Sequence, residues 1–276
     1  MIFVYKKWKN FCSRLQKDGF TSIPLKEVQK STGKYISFKH DVETKVKKAY
    51  KIAKIENEYG HRGSYYVQAY LLNDKNNVDL LNKIKKLGHE ITYHHDVMDS
   101  NKGIIDKAII EFKNNVELFN ICGFNVETVC QHGNPVIERK GYNSNRDFFR
   151  NDIVQKSYPN ICDIMVDFKL KRKTEYNYYS DAGRKFKFIY DPINNDIIDT
   201  ESKNVSYKNL DELYQALLDN KSAIISIHPH RWTTFASVYL LKAFVFKVIK
   251  YTAKGMIKIP LFRKIFSKYY YLAKKI

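Results

Sequence analysis

The chain has little of what usually places a protein quickly. Its 4 cysteines, Cys12, Cys122, Cys130 and Cys162, are scattered and form no CxxC pair. That argues against a disulfide scaffold and for a reducing compartment. With 11 glycines and 6 prolines in 276 residues, it has too few of either for long disordered linkers. No low-complexity segment or internal repeat is present. The opening run Met1-Ile2-Phe3-Val4-Tyr5 is too short for a secretion signal, and Lys6, Lys7 and Lys9 follow it rather than precede it. A cytoplasmic location is the expectation. The apolar run from Phe235 to Ile249 contains Lys242 and Lys247 and falls short of the ~20 residues a spanning helix needs.

Acidic residues are also scarce, 29 against 48 lysines and arginines, for a net charge of +19. The deficit is greatest at the end: from Phe235 to Ile276 there are nine lysines, one arginine and no acidic residue. Lys247, Lys250, Lys254 and Lys258 fall at helical spacing among Val245, Val248, Ile249 and Tyr251. This is the composition of an amphipathic segment drawn to an anionic membrane surface, and residues 235–276 are the expected contact. A helix packed on the domain with a solvated basic face is the simpler reading of the same residues. The segment is too apolar for a nucleic-acid arm and no nucleic-acid motif accompanies it, so nucleic acid is not an expected partner.

What is present is a core. The chain is 44% hydrophobic, and its length fits one large α/β domain better than two small ones. Strand-like and helix-like stretches alternate: a helix over 5–17, a strand over 35–41, a helix over 44–59, strands over 64–69, 89–94 and 126–131, and intervening helices over 77–87 and 103–121. A helix over 207–219 then precedes a strand over 223–228. Ile161 to Asp167 reads as a further strand, Tyr178 to Arg184 as a loop, and 235–276 as helical with a break at Pro260. This spacing predicts a parallel sheet with crossover helices; closed into a barrel it would bring all strand C-termini to one face. Residues 1–34 read as helical decoration, 35–233 as the barrel and 234–276 as a basic helical tail.

Several of these strands end in polar clusters. Tyr35-Ile36-Ser37-Phe38 runs into Lys39-His40-Asp41-Val42-Glu43. Gly88 to Tyr93 ends in His94-His95-Asp96, Val126 to Gln131 in His132, and Ala223 to Ile227 in His228-Pro229-His230. A single histidine at a strand end is ordinarily a hydrogen-bonded structural residue. Four such ends on one face suit a borderline divalent ion such as zinc, with cobalt or nickel as alternatives, and supply acid and base groups beside it. A metal with an open position polarises a carbonyl and activates water, so hydrolysis follows.

The order and spacing of residues 35–43, 88–96, 131–135 and 223–232 resemble the motif series of the polysaccharide deacetylase (NodB-like, carbohydrate esterase family 4) superfamily, in its divergent branch. The resemblance implies a distorted (β/α) barrel with about seven strands and metal-dependent removal of acetyl groups from a carbohydrate substrate, such as a surface glycan or a lipid-linked sugar. It places Asp41 as metal ligand, His40 at the base position with Glu43 as the alternative base, and His94 as the first metal histidine. The family's second histidine falls at Met98, so His95, Asp96, Asp99 or His132 must substitute, and His132 completes the expected ligand set. Asp181 matches a carboxylate that orients a catalytic residue, and His228 the general acid. His95, Asn134, His230, Arg231 and Trp232 are the expected substrate-binding residues, with core packing the simpler role for Trp232. The departures at His40 and Met98 leave a second reading: a degenerate barrel that binds glycan without turnover.

Overall fold

The computed structural model describes residues 1–28, 30–31, 33–134, 137–166, 176–218 and 222–256, the last eight as helical backbone alone. The helices are α1 (Tyr5–Lys17), α2 (Leu25–Val28), α3 (Val46–Glu58), α4 (Lys75–Lys86), α5 (Val97–Ser100), α6 (Ile105–Ile121), α7 (Asp147–Arg150), α8 (Asp152–Ser157), α9 (Leu210–Leu217) and α10 (Ala236–Met256). The strands are β1 (Ile36–Val42), β2 (Gly63–Val67), β3 (Glu90–His95), β4 (Thr128–Gln131), β5 (Cys162–Asp163), β6 (Tyr176–Ser180), β7 (Phe186–Ile189), β8 (Val205–Tyr207) and β9 (Ser222–Ile227).

Among the described residues the strands form one nine-stranded sheet in the order β5-β4-β3-β2-β1-β9-β6-β7-β8. From β5 to β6 every neighbouring pair is parallel, and β7 and β8 add an antiparallel edge. Every residue of β1 is buried, as expected of a central parallel strand covered on both faces. Gly88 (φ +86°) and Gly123 (φ +83°) take the left-handed conformation that ends α4 and α6 and turns the chain toward β3 and β4.

Two layers of side chains follow from the alternation of the strands. On the outer face, Phe38 and Ile225 pack with Trp8 and Phe11 of α1, while Val42, Tyr65, Ile91 and Tyr93 pack with α3, α4 and α6. On the inner face, Tyr66 of β2, Cys130 of β4, Cys162 of β5, Tyr178 of β6 and Ile224 of β9 share one cluster. Cys162 and Tyr178, from opposite ends of the parallel run, belong to this one cluster. No ladder pairs β5 with β6 among the described residues.

Most expected elements are present within a few residues. The loop expected over 178–184 is in part strand: Tyr176–Ser180 form β6, parallel to β9, and β7 and β8 were not foreseen. The strand expected over 161–167 is reduced to Cys162–Asp163, and Asp167 lies outside the described residues. Residues 1–34 do more than decorate, since Trp8, Phe11 and Leu15 belong to the same core cluster as β1 and β9.

The outer layer hides a carboxylate. Glu56 of α3 is fully buried and accepts hydrogen bonds from Trp8 Nε1 (3.1 Å), Tyr65 Oη (2.9 Å) and His40 Nε2 (3.1 Å). Its removal strands donors from three separate elements. We expect Glu56→Ala to lower the unfolding free energy by about 3–5 kcal/mol, measured by urea denaturation, and Glu56→Gln to cost less because it retains an acceptor.

Candidate metal and acid–base site

β1 sends Lys39 and Asp41 to the inner face, and Glu43, just beyond its end, continues the same row. β3 sends Thr92 and His94 inward, and β4 Thr128, Cys130 and then His132. β9 delivers Ser226 and His228. At this rim His132 Nε2 lies 3.1 Å from Glu43 Oε1, and the rings of His94 and His132 stand 5.2 Å apart. His228 Nε2 lies 3.7 Å from Asp41 Oδ2 and 3.9 Å from Glu43 Oε1. Asp41, Glu43 and His228 keep 7%, 8% and 8% of their surface exposed, so the cluster opens to solvent on their side.

Two groups of side chains have ligand atoms within 4.8 Å of one another: Glu43, His94 and His132, and Asp41, His94 and Cys130. The expected trio of Asp41, His94 and His132 is thus divided between them, with His94 common to both. His94 Nδ1 donates to the Cys130 carbonyl oxygen at 3.0 Å, which leaves the Nε2 lone pair as its ligating position. Imidazole with carboxylate is a donor set for zinc, cobalt or nickel, and the group with Glu43 needs no thiol to lose a proton.

A second unit adjoins it. Asp181, fully buried at the end of β6, accepts from His228 Nδ1 at 2.5 Å and from the His228 backbone N–H at 3.1 Å. Arg231 Nη1 donates to the Asp181 carboxylate at 3.0 Å and to its carbonyl oxygen at 2.8 Å. The carboxylate therefore fixes the tautomer and orientation of His228 and aims its Nε2 at Asp41 and Glu43.

The electrostatics are those of a crowded, largely buried cluster. Burial pushes the Asp41 carboxyl up, but Lys39, His94 and His228 outweigh it and hold it well below the usual carboxylate range. Burial likewise opposes ionisation of Glu43, and His132, His228 and His230 keep it low. Burial pushes His94 down to about 3 against the pull of Asp41, and pushes His230 to about 3 with Arg231 adding to the effect.

Three expected site residues lie elsewhere. His40, expected as a base, points to the outer face: it is fully buried, stacks on Tyr65 at 4.0 Å between ring centroids and donates to Glu56. His95 alternates with His94 and so also faces outward, donating to Asp163 Oδ2 at 3.1 Å among Phe112, Phe148 and Phe149. Trp232 is fully buried, stacked on Phe3 at 5.1 Å and set edge-on to Trp8 at 5.3 Å. None of the three side chains joins the cluster at the rim. Arg231 is committed to Asp181, the His230 ring stands 5.8 Å from that of His228, and half-buried Asn134 follows His132 on the next loop. Met98 is buried in the core, and Asp99 is held by Arg139, Tyr142 and Asn145 as a structural anchor. The residues missed in the sequence are Lys39 and Cys130. Both lie in phase with a recognised inner-face residue, Lys39 two before Asp41 and Cys130 two before His132.

No protein-family model and no curated protein sequence matches the chain. Among solved structures, a mutant of the peptidoglycan deacetylase PdaC from Bacillus subtilis is similar at 8% identity, over 79% of this chain and 97% of that chain, with a TM-score of 0.37.

The buried Asp181 gives a pH signature. Burial raises its carboxyl, but His228 and Arg231 more than offset this and depress it in the folded state. A depressed folded-state value contributes stability above the unfolded value of about 3.9, lost as pH falls through the folded one. Asp181→Asn is expected to lower stability at neutral pH and to flatten the acid limb. Denaturation midpoints measured between about pH 3 and 7 check this, and parallel curves for the two proteins would contradict it.

Proposed function

We propose that the chain is a metal-dependent hydrolase of deacetylase type, removing an acetyl group from a carbohydrate, such as a surface glycan or a lipid-linked sugar. We read its parallel-dominated sheet as the wall of a distorted (β/α) barrel. The observation that carries the proposal is the meeting, at one rim, of the Glu43–His94–His132 group with the Asp181–His228 pair. Glu43, His94 and His132 would hold a divalent ion, zinc by preference, with cobalt or nickel as substitutes. Such an ion, when bound, polarises a carbonyl and makes water more acidic.

The chain's own groups supply the rest. Asp41, next to His228, is the carboxylate we assign to receive the water proton, in place of His40, which faces outward. His228 holds its Nδ1 proton on Asp181 and offers Nε2 to the leaving amine or alcohol as general acid. His230 and Asn134 border the opening. A glycan-binding fold without turnover is the competing reading, and acetate release separates the two.

Zinc content by elemental mass spectrometry is expected to fall to background in Glu43→Gln, His94→Ala and His132→Ala, and to be unchanged in His40→Gln. Acetate release from acetylated oligosaccharides is expected to drop by ~10²–10⁴ in His228→Ala with zinc retained. Wild-type protein that takes up no divalent ion would overturn the hydrolase reading. Zinc-loaded protein that binds glycan but releases no acetate would support the competing one.

We also propose a cytoplasmic location at the inner face of the membrane, attached through residues 235–276. No helix of the described residues is long and apolar enough to cross a membrane. In support, Phe235 just before α10 is 66% exposed, and Leu241 and Phe244 on it are 64% and 66% exposed, in a segment without acidic residues. Lys258, Pro260 and the pattern beyond them lie outside the described residues. The full chain is expected to co-sediment with vesicles containing phosphatidylglycerol, less so as salt rises, and to lose that binding in the double variant Leu241→Glu with Phe244→Glu. Equal binding by wild type and variant would remove the proposal.

A further inference from the structure

One buried charge has no role in the site so far: Lys39. It is 1% exposed on the inner face of β1, two residues before Asp41. Its Nζ donates to the Asp41 carboxylate and to Ser226 Oγ at 3.3 Å, and lies 5.5 Å from the centre of the Tyr66 ring. It also interacts electrostatically with Cys130. A lysine is almost never fully buried unless its charge is answered. Here the answer is Asp41.

The two candidate metal groups compete for one histidine. His94 has its Nδ1 engaged by the Cys130 carbonyl at 3.0 Å, so it offers a single lone pair and can serve one ion only. The group formed with Asp41 and Cys130 has an ammonium against two of its three members. A dication there would face that charge at close range in a medium that screens it poorly. The group formed with Glu43 and His132 differs: the ion-pair partners of Glu43 are His132 and His228, and no lysine or arginine pairs with it among the described residues. We propose that Lys39 is a built-in cation that satisfies Asp41, closes the Asp41–His94–Cys130 group to metal, and confines a divalent ion to Glu43, His94 and His132. The inference rests on the metal-dependent reading above. It makes Lys39 a residue that selects which site is loaded, and it leaves Asp41 anionic beside His228 rather than spent as a ligand.

Cobalt(II) tests this without reference to activity, because a thiolate bound to cobalt gives an intense near-ultraviolet charge-transfer band that imidazole and carboxylate ligands do not. The full-length protein is expected to bind cobalt without that band. Lys39→Met, with folding checked by circular dichroism, is expected to gain the band, and Lys39→Met with Cys130→Ala to lose it again. Cys130→Ala alone, which leaves Lys39 in place, is expected to change the cobalt Kd by less than about twofold, whereas Glu43→Gln weakens it by at least the ~10–100-fold that even outer-shell changes cause. This pair of measurements decides the matter should Lys39→Met fail to fold. A thiolate band in the wild type, a large loss on Cys130→Ala alone, or a folded Lys39→Met that binds cobalt without the band overturns the role given to Lys39 while the metal site stands. No cobalt uptake by the wild type overturns the metal site and this inference together.

Discussion

The site depends on β1 carrying charge on both faces while every one of its residues is buried. Lys39, Asp41 and then Glu43 point inward, and Phe38, His40 and Val42 point outward under α1 and α3. An ionised group in such a position is tolerated only when a partner of opposite sign or several hydrogen bonds answer it. The inner row answers itself: Asp41 with Lys39, Glu43 with His132. The outer row does the same through His40 and Glu56. One strand therefore fixes the partners that β2, β3, β4, β9 and α3 have to present to it.

This pairing divides the histidines by task. His61 and His89 use both ring nitrogens on backbone groups, His61 between Ser22 N–H and the Cys12 carbonyl, His89 between Gly63 N–H and the Ala53 carbonyl. They hold the layer of helices on the sheet and have no nitrogen left for chemistry. His94 and His228 each have one nitrogen fixed by an acceptor and the other aimed into the cluster. That second arrangement is the one a ligand or a proton donor needs, because it sets the tautomer before any substrate arrives. The distinction between structural and chemical histidines here lies in what the far nitrogen touches, not in burial, since both kinds are buried.

Much of this could be read from the residues, and each failure has its own physical cause. The alternation of strand and helix located the elements as far as β4, and the last parallel strand, because apolar runs and their polar ends are local signals. The row of Asp41, His94, His132 and His228 was legible for the same reason. His40 and His95 were not, because residues adjacent in sequence at a strand end look like one cluster, whereas the two-residue period sends neighbours to opposite faces. Applied strictly from Asp41, that period excludes His40 and includes Lys39 and Glu43. Applied from His132 it includes Cys130. Trp232 was ambiguous because its fate depends on Phe3 and Trp8, more than two hundred residues away in sequence. β6 to β8 are short, and their ladders are made with β9 and with each other, partners that no local signal names.

The segment after β9 couples parts that are otherwise far apart. Thr233 N–H donates to the Phe3 carbonyl at 3.0 Å and Tyr5 N–H donates to the Thr233 carbonyl at 3.0 Å, so the start of the chain is stitched to the end of this strand. Lys48 Nζ donates to the His230 carbonyl at 2.7 Å and to the Trp232 carbonyl at 2.6 Å, and Trp232 itself is wedged between Phe3 and Trp8. Residues 228–233 are thus held from α3, from the N-terminus and from the core at once. α10 begins at Ala236, with only Thr234 and Phe235 after this clamped stretch. The buried Trp232 thus ties the segment that follows His228 to the N-terminus and to the core.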